Sequence, residues 1–589
     1  MRLAELPALA WLSALIVTSV GVRFVLALWV PAPWIFADEL KYSELAKSFA
    51  STGHFAVREV PGSGVGPLYP IVITPAYAAF DNLTHAYVLV KAINSVVMAL
   101  AAVPTYLLAR RLLAKPWALV AAALALAVPS MVYTGLIMTE SLFYPLFLLA
   151  SLGIVRALER PSATRQLSAL GLIALAMATR AQAIALLAAL VTAIVAMCVV
   201  DAAEKRLRVP SLARCLARYL PTWVGLAGGL VALIGFEAAR GRSPFALFGD
   251  AQGLWHQHYS PTAVARWFVY HLAELDLYVG VLPFAAFLVL ATFAWSRRDR
   301  PLRIFAIASL SIVFWLLVTV AVFISSLTKY DPHGDSHVID RYTFYVVPLL
   351  LIALLAWITR RAPGSGRKAA GAAIVAGGLV LVLPYKDLIH DHSVPDTLGF
   401  LPWSTNRDGS IVAMPHVLAT VGVISLSLAG LFYLLRPPRL PFVAPLLVLL
   451  LFITVSGSAE RWYHLEGAAA SSGPRHDWID DAIGSKTEAV VIWSGRGRPH
   501  LIWENEFFNR SVGRVYYLRE PSWEGLPEQK LIVRRRSGLL VDEAGRPLRA
   551  RFALVDPWVV LRGRVVAREG TSGMRLYRLS GPSAQISAQ

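Results

Sequence analysis

Apolar residues along the chain gather into long runs separated by short polar stretches, a spacing far longer than the repeat of any amphipathic helix or strand. Thirteen runs approach the length that crosses a ~30 Å hydrocarbon core, near 8–30, 86–109, 116–134, 140–158, 166–180, 181–200, 221–239, 278–296, 304–326, 342–359, 370–384, 412–435 and 441–457. They predict about as many spanning helices, although 166–180 with 181–200 reads equally as one bent hairpin, and 370–384 is short. The pattern changes after about residue 458. Short β-type runs appear there, AVVIW at 489–493, RVYYL at 514–518, KLIVRR at 530–535 and FALVDPWVVL at 552–561, separated by Gly, Pro and Asp turns. The expected fold class is a polytopic α-helical membrane protein with a C-terminal α/β or β-rich domain. Residues 1–457 form the transmembrane part, with a first loop at 31–85 carrying interfacial helices; 458–580 form the separate domain, and 581–589 a disordered tail.

Composition agrees: 57% of residues are hydrophobic, 16% are charged and the mean hydropathy is +0.58, outside the range of ordinary soluble proteins. A net charge of +18 would suit a nucleic-acid binder, but the basic residues form no continuous face. They cluster in alternate loops: Arg110, Arg111 and Lys115; Arg156, Arg160 and Arg165; Lys205 to Arg218; Arg297 to Arg303; Arg360 to Lys368; Arg436 and Arg439. By the positive-inside rule these loops and the N-terminus are cytoplasmic, which puts the first loop and everything after 458 outside. The partners are therefore a lipid bilayer and envelope molecules, with no nucleic acid. The first run, long enough to span and without a small-residue cleavage site, is expected to remain as a helix. Cys198 and Cys215 offer no disulfide framework.

The outer segments carry the candidate chemistry. Asp38 and Glu39 directly follow the first run and open a helix, DELKYSELAKSFA, whose Leu40, Leu45 and Phe49 would face lipid. Acids at a helix start serve equally as caps, so the local pattern leaves capping and catalysis open. GPLYPIVITPAY at 66–77 is too short and proline-rich to span and is expected to dip into the interface.

A spanning helix, a DE pair and a PLYP return segment, followed by MTESLFYPLF at 138–147, ATRAQAI at 178–184 and DRYTFYVVP at 340–348, together resemble the GT-C superfamily of membrane glycosyltransferases. The likeness is greatest to bacterial relatives of protein O-mannosyltransferases and of the lipid A aminoarabinose transferase. It implies an inverting hexosyl- or pentosyltransferase that uses a polyprenyl-phosphate sugar donor and a cell-envelope acceptor, glycan, glycolipid or protein, on the outer face of the bacterial plasma membrane. Asp38 would be the general base, with Glu39 orienting it, and Glu140 a second acid or a metal ligand. The donor phosphate would meet Arg341, Lys329, Arg180 and His337, since charge develops there in the transition state. Each of these cations reads also as a snorkelling side chain or an ion-pair member, for instance with Asp340 or Asp331.

His333, Asp335 and His337 form an H-x-D-x-H cluster that fits a divalent cation or solvated loop histidines, so a cofactor requirement stays open. Aromatic residues from Trp255 to Tyr270 suit sugar stacking or an interfacial belt. In the terminal domain, DWIDD at 477–481 and WENEFFNR at 503–510 put acids beside aromatics, a carbohydrate-contact pattern or plain surface texture. No nucleotide-binding glycine loop lies on the cytoplasmic side, which favours a lipid-linked donor. The rival functions are a lipid or sugar transporter, which would show inverted repeats, and a non-catalytic glycan-binding assembly protein.

Overall fold

The computed structural model describes residues 7–34, 36–62, 65–203, 209–241, 243, 259–295, 299–327, 337–360, 366–389, 396–403, 416–434, 440–470, 475–522 and 525–587. Every one of the thirteen apolar runs coincides with helix. Eight helices are long and apolar enough to cross a membrane: Ala8–Ala27, Leu83–Ala109, Glu140–Glu159, Ala181–Ala203, Leu220–Ala239, Arg300–Ser326, Val417–Leu434 and Val443–Leu465. Two further spans are bent pairs, Lys115–Leu126 with Pro129–Gly135 at 54° and Pro261–Val279 with Val281–Trp295 at 119°. The remaining runs fall below that length, as Ala163–Thr179, Phe344–Thr359 and Gly366–Leu379. The described residues thus hold eight to ten helices that meet the length and apolarity of a span, against about thirteen expected. Leu9, Val17 and Val25 on the first helix and Val224, Leu230 and Phe236 on Leu220–Ala239 are exposed. Apolar faces of that extent call for lipid, and the chain is a multi-pass membrane protein.

The chain divides into two compact units. The first comprises Met1–Val22, Val96–Val132 and Thr139–Glu460. Within it the helix Glu140–Glu159 is buried along most of its length and packs against Ala163–Thr179. The sequence placed 240–277 in a loop, whereas Pro261–Val279 is a helix capped by Ser260 and opened by Pro261, a residue suited to a first helical turn. Cys198 and Cys215 form a disulfide with 5.5 Å between Cα atoms, which corrects the expectation that they stay unpaired. The short helix Val209–Ala217 folds back on Ile184–Ala203, bringing its Cys215 to Cys198, seventeen residues earlier.

The second unit comprises Arg23–Ser95, Tyr133–Met138 and Arg461–Gln589. The helix Phe36–Thr52 packs on Leu68–Ala79 through Tyr77 Oη and Ser43 Oγ, 2.9 Å apart, and an edge-on contact of Tyr42 with Tyr69. Leu40 and Leu45 are wholly buried in protein and not turned to lipid, because the PLYP helix covers that face.

A six-stranded sheet follows, in the order Gln529–Lys530, Val512–Tyr517, Ala489–Trp493, Phe552–Val555, Arg575–Leu579, Gly563–Arg568. Its first four strands are mutually parallel, and Arg575–Leu579 runs antiparallel to both of its neighbours. Ala489–Trp493 is buried at every position, which explains why its sequence is a continuous apolar run without alternation. The last expected strand stops at Val555, where Asp556 and Pro557 turn the chain. Part of the expected tail is paired: Ser583, Gln585 and Ile586 bridge to Arg549, Leu539 and Leu561.

Candidate functional site

In the first unit, three segments far apart in sequence place charged side chains together. Glu140 opens its helix directly after Thr139 and is completely buried. Arg180 ends the helix Ala163–Thr179, and its Nη1 donates to Glu140 Oε1 at 2.5 Å, to Tyr345 Oη at 3.2 Å and to Thr139 Oγ1 at 3.3 Å. Its guanidinium also lies 4.4 Å from the centre of the Tyr342 ring, a cation–π distance. Arg341 Nε stands 3.5 Å from the same Glu140 oxygen and 3.1 Å from Asp396 Oδ1. His337 Nε2 is 3.2 Å from Asp396 Oδ2. Two guanidiniums thus share one buried carboxylate, and a second carboxylate pairs with one of them.

Backbone anchoring fixes this geometry. His271 Nδ1 lies 2.7 Å from the Trp267 carbonyl, so Nδ1 carries the proton and Nε2 accepts from the Ile339 amide at 3.2 Å. That bond holds the backbone immediately before Asp340 and Arg341. Asp340 Oδ2 accepts from the Gly399 amide at 2.8 Å, and Thr397 Oγ1 donates to the Val338 carbonyl. The segment from Asp396 to Trp403 is therefore fastened to residues 338–341, which brings Asp396 to Arg341. Burial would raise the Asp396 carboxyl, but Arg341, then the hydrogen bond and charge of His337, hold it below its usual range. Asp340 moves the other way, pushed well up chiefly by burial. The completely buried Glu274 reaches this region too, its Oε1 next to Gly399.

In the second unit, the acid pair divides. Asp38 is exposed, whereas Glu39 is completely buried, accepting from the Trp34 amide at 2.8 Å and the Ile137 amide at 2.9 Å. A carboxylate with both oxygens on backbone amides is a fixed brace. Nearby, Lys91 Nζ donates to the Val30 carbonyl at 2.6 Å and sits 3.8 Å over the Tyr87 ring.

Of the residues singled out in the sequence, Glu140, Arg180, Arg341 and His337 come into one cluster, and Asp38 and Glu39 belong to the other unit. Lys329, His333, Asp335 and Asp331 lie outside the described residues, as do Trp255, His256 and His258. Among the described residues no three His, Cys, Asp or Glu side chains converge as metal ligands. Asp396 and Glu274 were missed. Asp396 shares its loop with Asp387 and Asp391, so nothing in the sequence singles it out, and the available signal for Glu274 was an AELD tetrapeptide inside an otherwise apolar stretch. The acids beside aromatics in the terminal domain are structural. Glu504, Asn505, Glu506 and Asn509 are buried, and Asp480 accepts from the Arg510 and Ser511 amides at 2.9 Å.

Residues 64–224 match the family described as dolichyl-phosphate-mannose-protein mannosyltransferase. The fold resembles that of ArnT from Cupriavidus metallidurans bound to undecaprenyl phosphate, with a TM-score of 0.54, 15% identity and coverage of 99% of this chain and 100% of that one. The apo state of the same protein gives 0.50 and 16%, covering 96% and 98%. No curated protein matches in sequence. The chain is a polytopic membrane protein of the GT-C fold. The family match is confined to residues 64–224, and at 15–16% identity the structural likeness is one of fold.

Proposed function

We propose that the protein transfers a sugar from a polyprenyl-phosphate donor to a cell-envelope acceptor, glycan, glycolipid or protein, with inversion at the anomeric carbon. In this reading it works on the outer face of a bacterial plasma membrane, its N-terminus cytoplasmic and residues 458–580 extracytoplasmic. Asp38 removes the acceptor hydroxyl proton as the oxygen bonds to the anomeric carbon, and the bond from that carbon to the phosphate oxygen breaks. Glu39 braces the helix that presents Asp38. Polyprenyl phosphate leaves, its growing charge met by Arg180 and Arg341, with His337 beside them; Lys329, the fourth cation of this reading, lies outside the described residues.

The observation that carries this reading is the pair of guanidiniums pivoted on Glu140. A carboxylate that is completely buried cannot itself meet a bulky substrate, but it fixes two phosphate-binding forks, and the Arg180 side chain keeps 17% of its surface accessible. That arrangement suits bidentate recognition of a tetrahedral dianion. The undecaprenyl phosphate bound by ArnT is the same class of ligand. The test is a donor screen: purified protein in nanodiscs incubated with labelled polyprenyl-phosphate sugars. Release of free polyprenyl phosphate with the sugar on an acceptor supports the reading. Movement of intact lipid across the bilayer without cleavage would replace it with a transporter.

A further inference from the structure

The terminal sheet carries a cleft that the transfer reaction does not use. Its volume is about 500 Å³, within the range of small-molecule sites. It opens where the parallel strands Ala489–Trp493, Val512–Tyr517 and Phe552–Val555 end, and is lined by the residues that follow them, Ser494 and Arg496, Leu518 and Arg519, Trp558 and Val559. From the central strand the chain crosses by the helix His500–Phe508 to a neighbour on one side, and Phe552–Val555 pairs on the other. Ligands in open α/β sheets bind outside the carboxyl ends of strands at such a switch point.

The cleft is built, and two glycines show how. Gly495 and Gly497 have φ of +81° and +84°, and a Cβ at either would collide, with the Glu520 amide at 2.8 Å or the Trp558 ring at 2.7 Å. Both loops therefore close on each other only with glycine there, which brings Arg519 and the indole to the rim. Buried Asp556 ties them further, accepting from the Ser494 amide at 2.6 Å and the Trp558 amide at 3.1 Å. The lining has two arginines and no acid, and neither guanidinium has an ion-pair partner among the described residues. Trp558 leaves 48% of its surface exposed, a large cost for a tryptophan in an otherwise well-packed domain.

We infer that this cleft binds an anionic saccharide, its ring against the Trp558 indole and its carboxylate or phosphate on Arg496 and Arg519. A dinucleotide fits less well: that fingerprint needs a third glycine where the helix opens, and His500 stands there. The full chain in micelles is titrated with trigalacturonate, mannose 6-phosphate, maltotriose and ADP, followed by calorimetry. One or both anionic sugars should bind more tightly than maltotriose, and more weakly as salt rises. Arg496→Ser with Arg519→Ser should weaken binding about tenfold or more, and Trp558→Ala should do the same. Arg496→Lys with Arg519→Lys should keep part of the affinity that the serine pair loses. The two arginines are exposed, so replacing them should leave the unfolding temperature in place. Equal binding of maltotriose, binding of ADP alone, or anionic-sugar binding unchanged in both variants would overturn the inference. Binding is read without turnover, so failure here leaves the transfer reaction untouched.

Discussion

Replacing Arg180 with lysine keeps the positive charge and removes the fork. In the native cluster one nitrogen serves Glu140, Thr139 and Tyr345, which leaves the other arm and the planar face for a phosphate and for Tyr342. Lysine can hold Glu140 or reach the phosphate, but not both in one geometry. A hydrogen bond to a charged group contributes about 1.5–3 kcal/mol, so losing one at the leaving phosphate should lower kcat/KM by roughly 10- to 150-fold. Stability should fall by only about 1 kcal/mol, since the ion pair survives while the bonds to Thr139 and Tyr345 go. The assay is release of polyprenyl phosphate from labelled donor by protein in nanodiscs, with thermal unfolding measured in parallel. Arg180→Met should be weaker still. If the lysine variant keeps kcat/KM within about twofold of wild type while folding normally, the guanidinium does not hold the leaving group.

Three further outcomes are expected. The Asp396 carboxyl is depressed when folded, so its ion pairs contribute above its unfolded value of about 3.9 and are lost as pH falls through the lower folded value; wild type should thus be more stable than Asp396→Asn near neutral pH, with the difference shrinking as pH falls below about 4, checked by fluorescence-monitored unfolding against pH. Arg58 has a φ of +49° in a hairpin turn, and its buried guanidinium holds Glu506 at 2.7 Å and Glu528 at 2.9 Å; Arg58→Met should cost about 3–5 kcal/mol by denaturant unfolding, partly restored by Glu506→Gln with Glu528→Gln. Chelation should leave turnover unchanged, because His337 is already engaged with Asp396; activity lost to chelator and regained with a divalent cation would contradict this.

The helices were legible because lipid imposes length and apolarity on each run separately, and every run became helix. Glu140, Arg180 and Arg341 were legible for a related reason: ionised groups at the ends of apolar runs are costly there and stand out. Asp396 was not, since its place depends on Thr397 and Gly399 fastening a loop to residues 338–341, contacts with no sequence period. The burial of Glu39 was equally hidden, since it rests on the Trp34 amide five residues before it and the Ile137 amide far along the chain. Leu40 and Leu45 had the right face for burial, but periodicity cannot say whether lipid or the PLYP helix covers it.

Whether Asp38 is the base is tested by single-turnover transfer from a labelled polyprenyl-phosphate sugar by Asp38→Asn protein. The variant should fold, still bind the donor, and lose transfer by about 10²–10⁴-fold. Transfer at the wild-type rate by the folded variant would contradict that role.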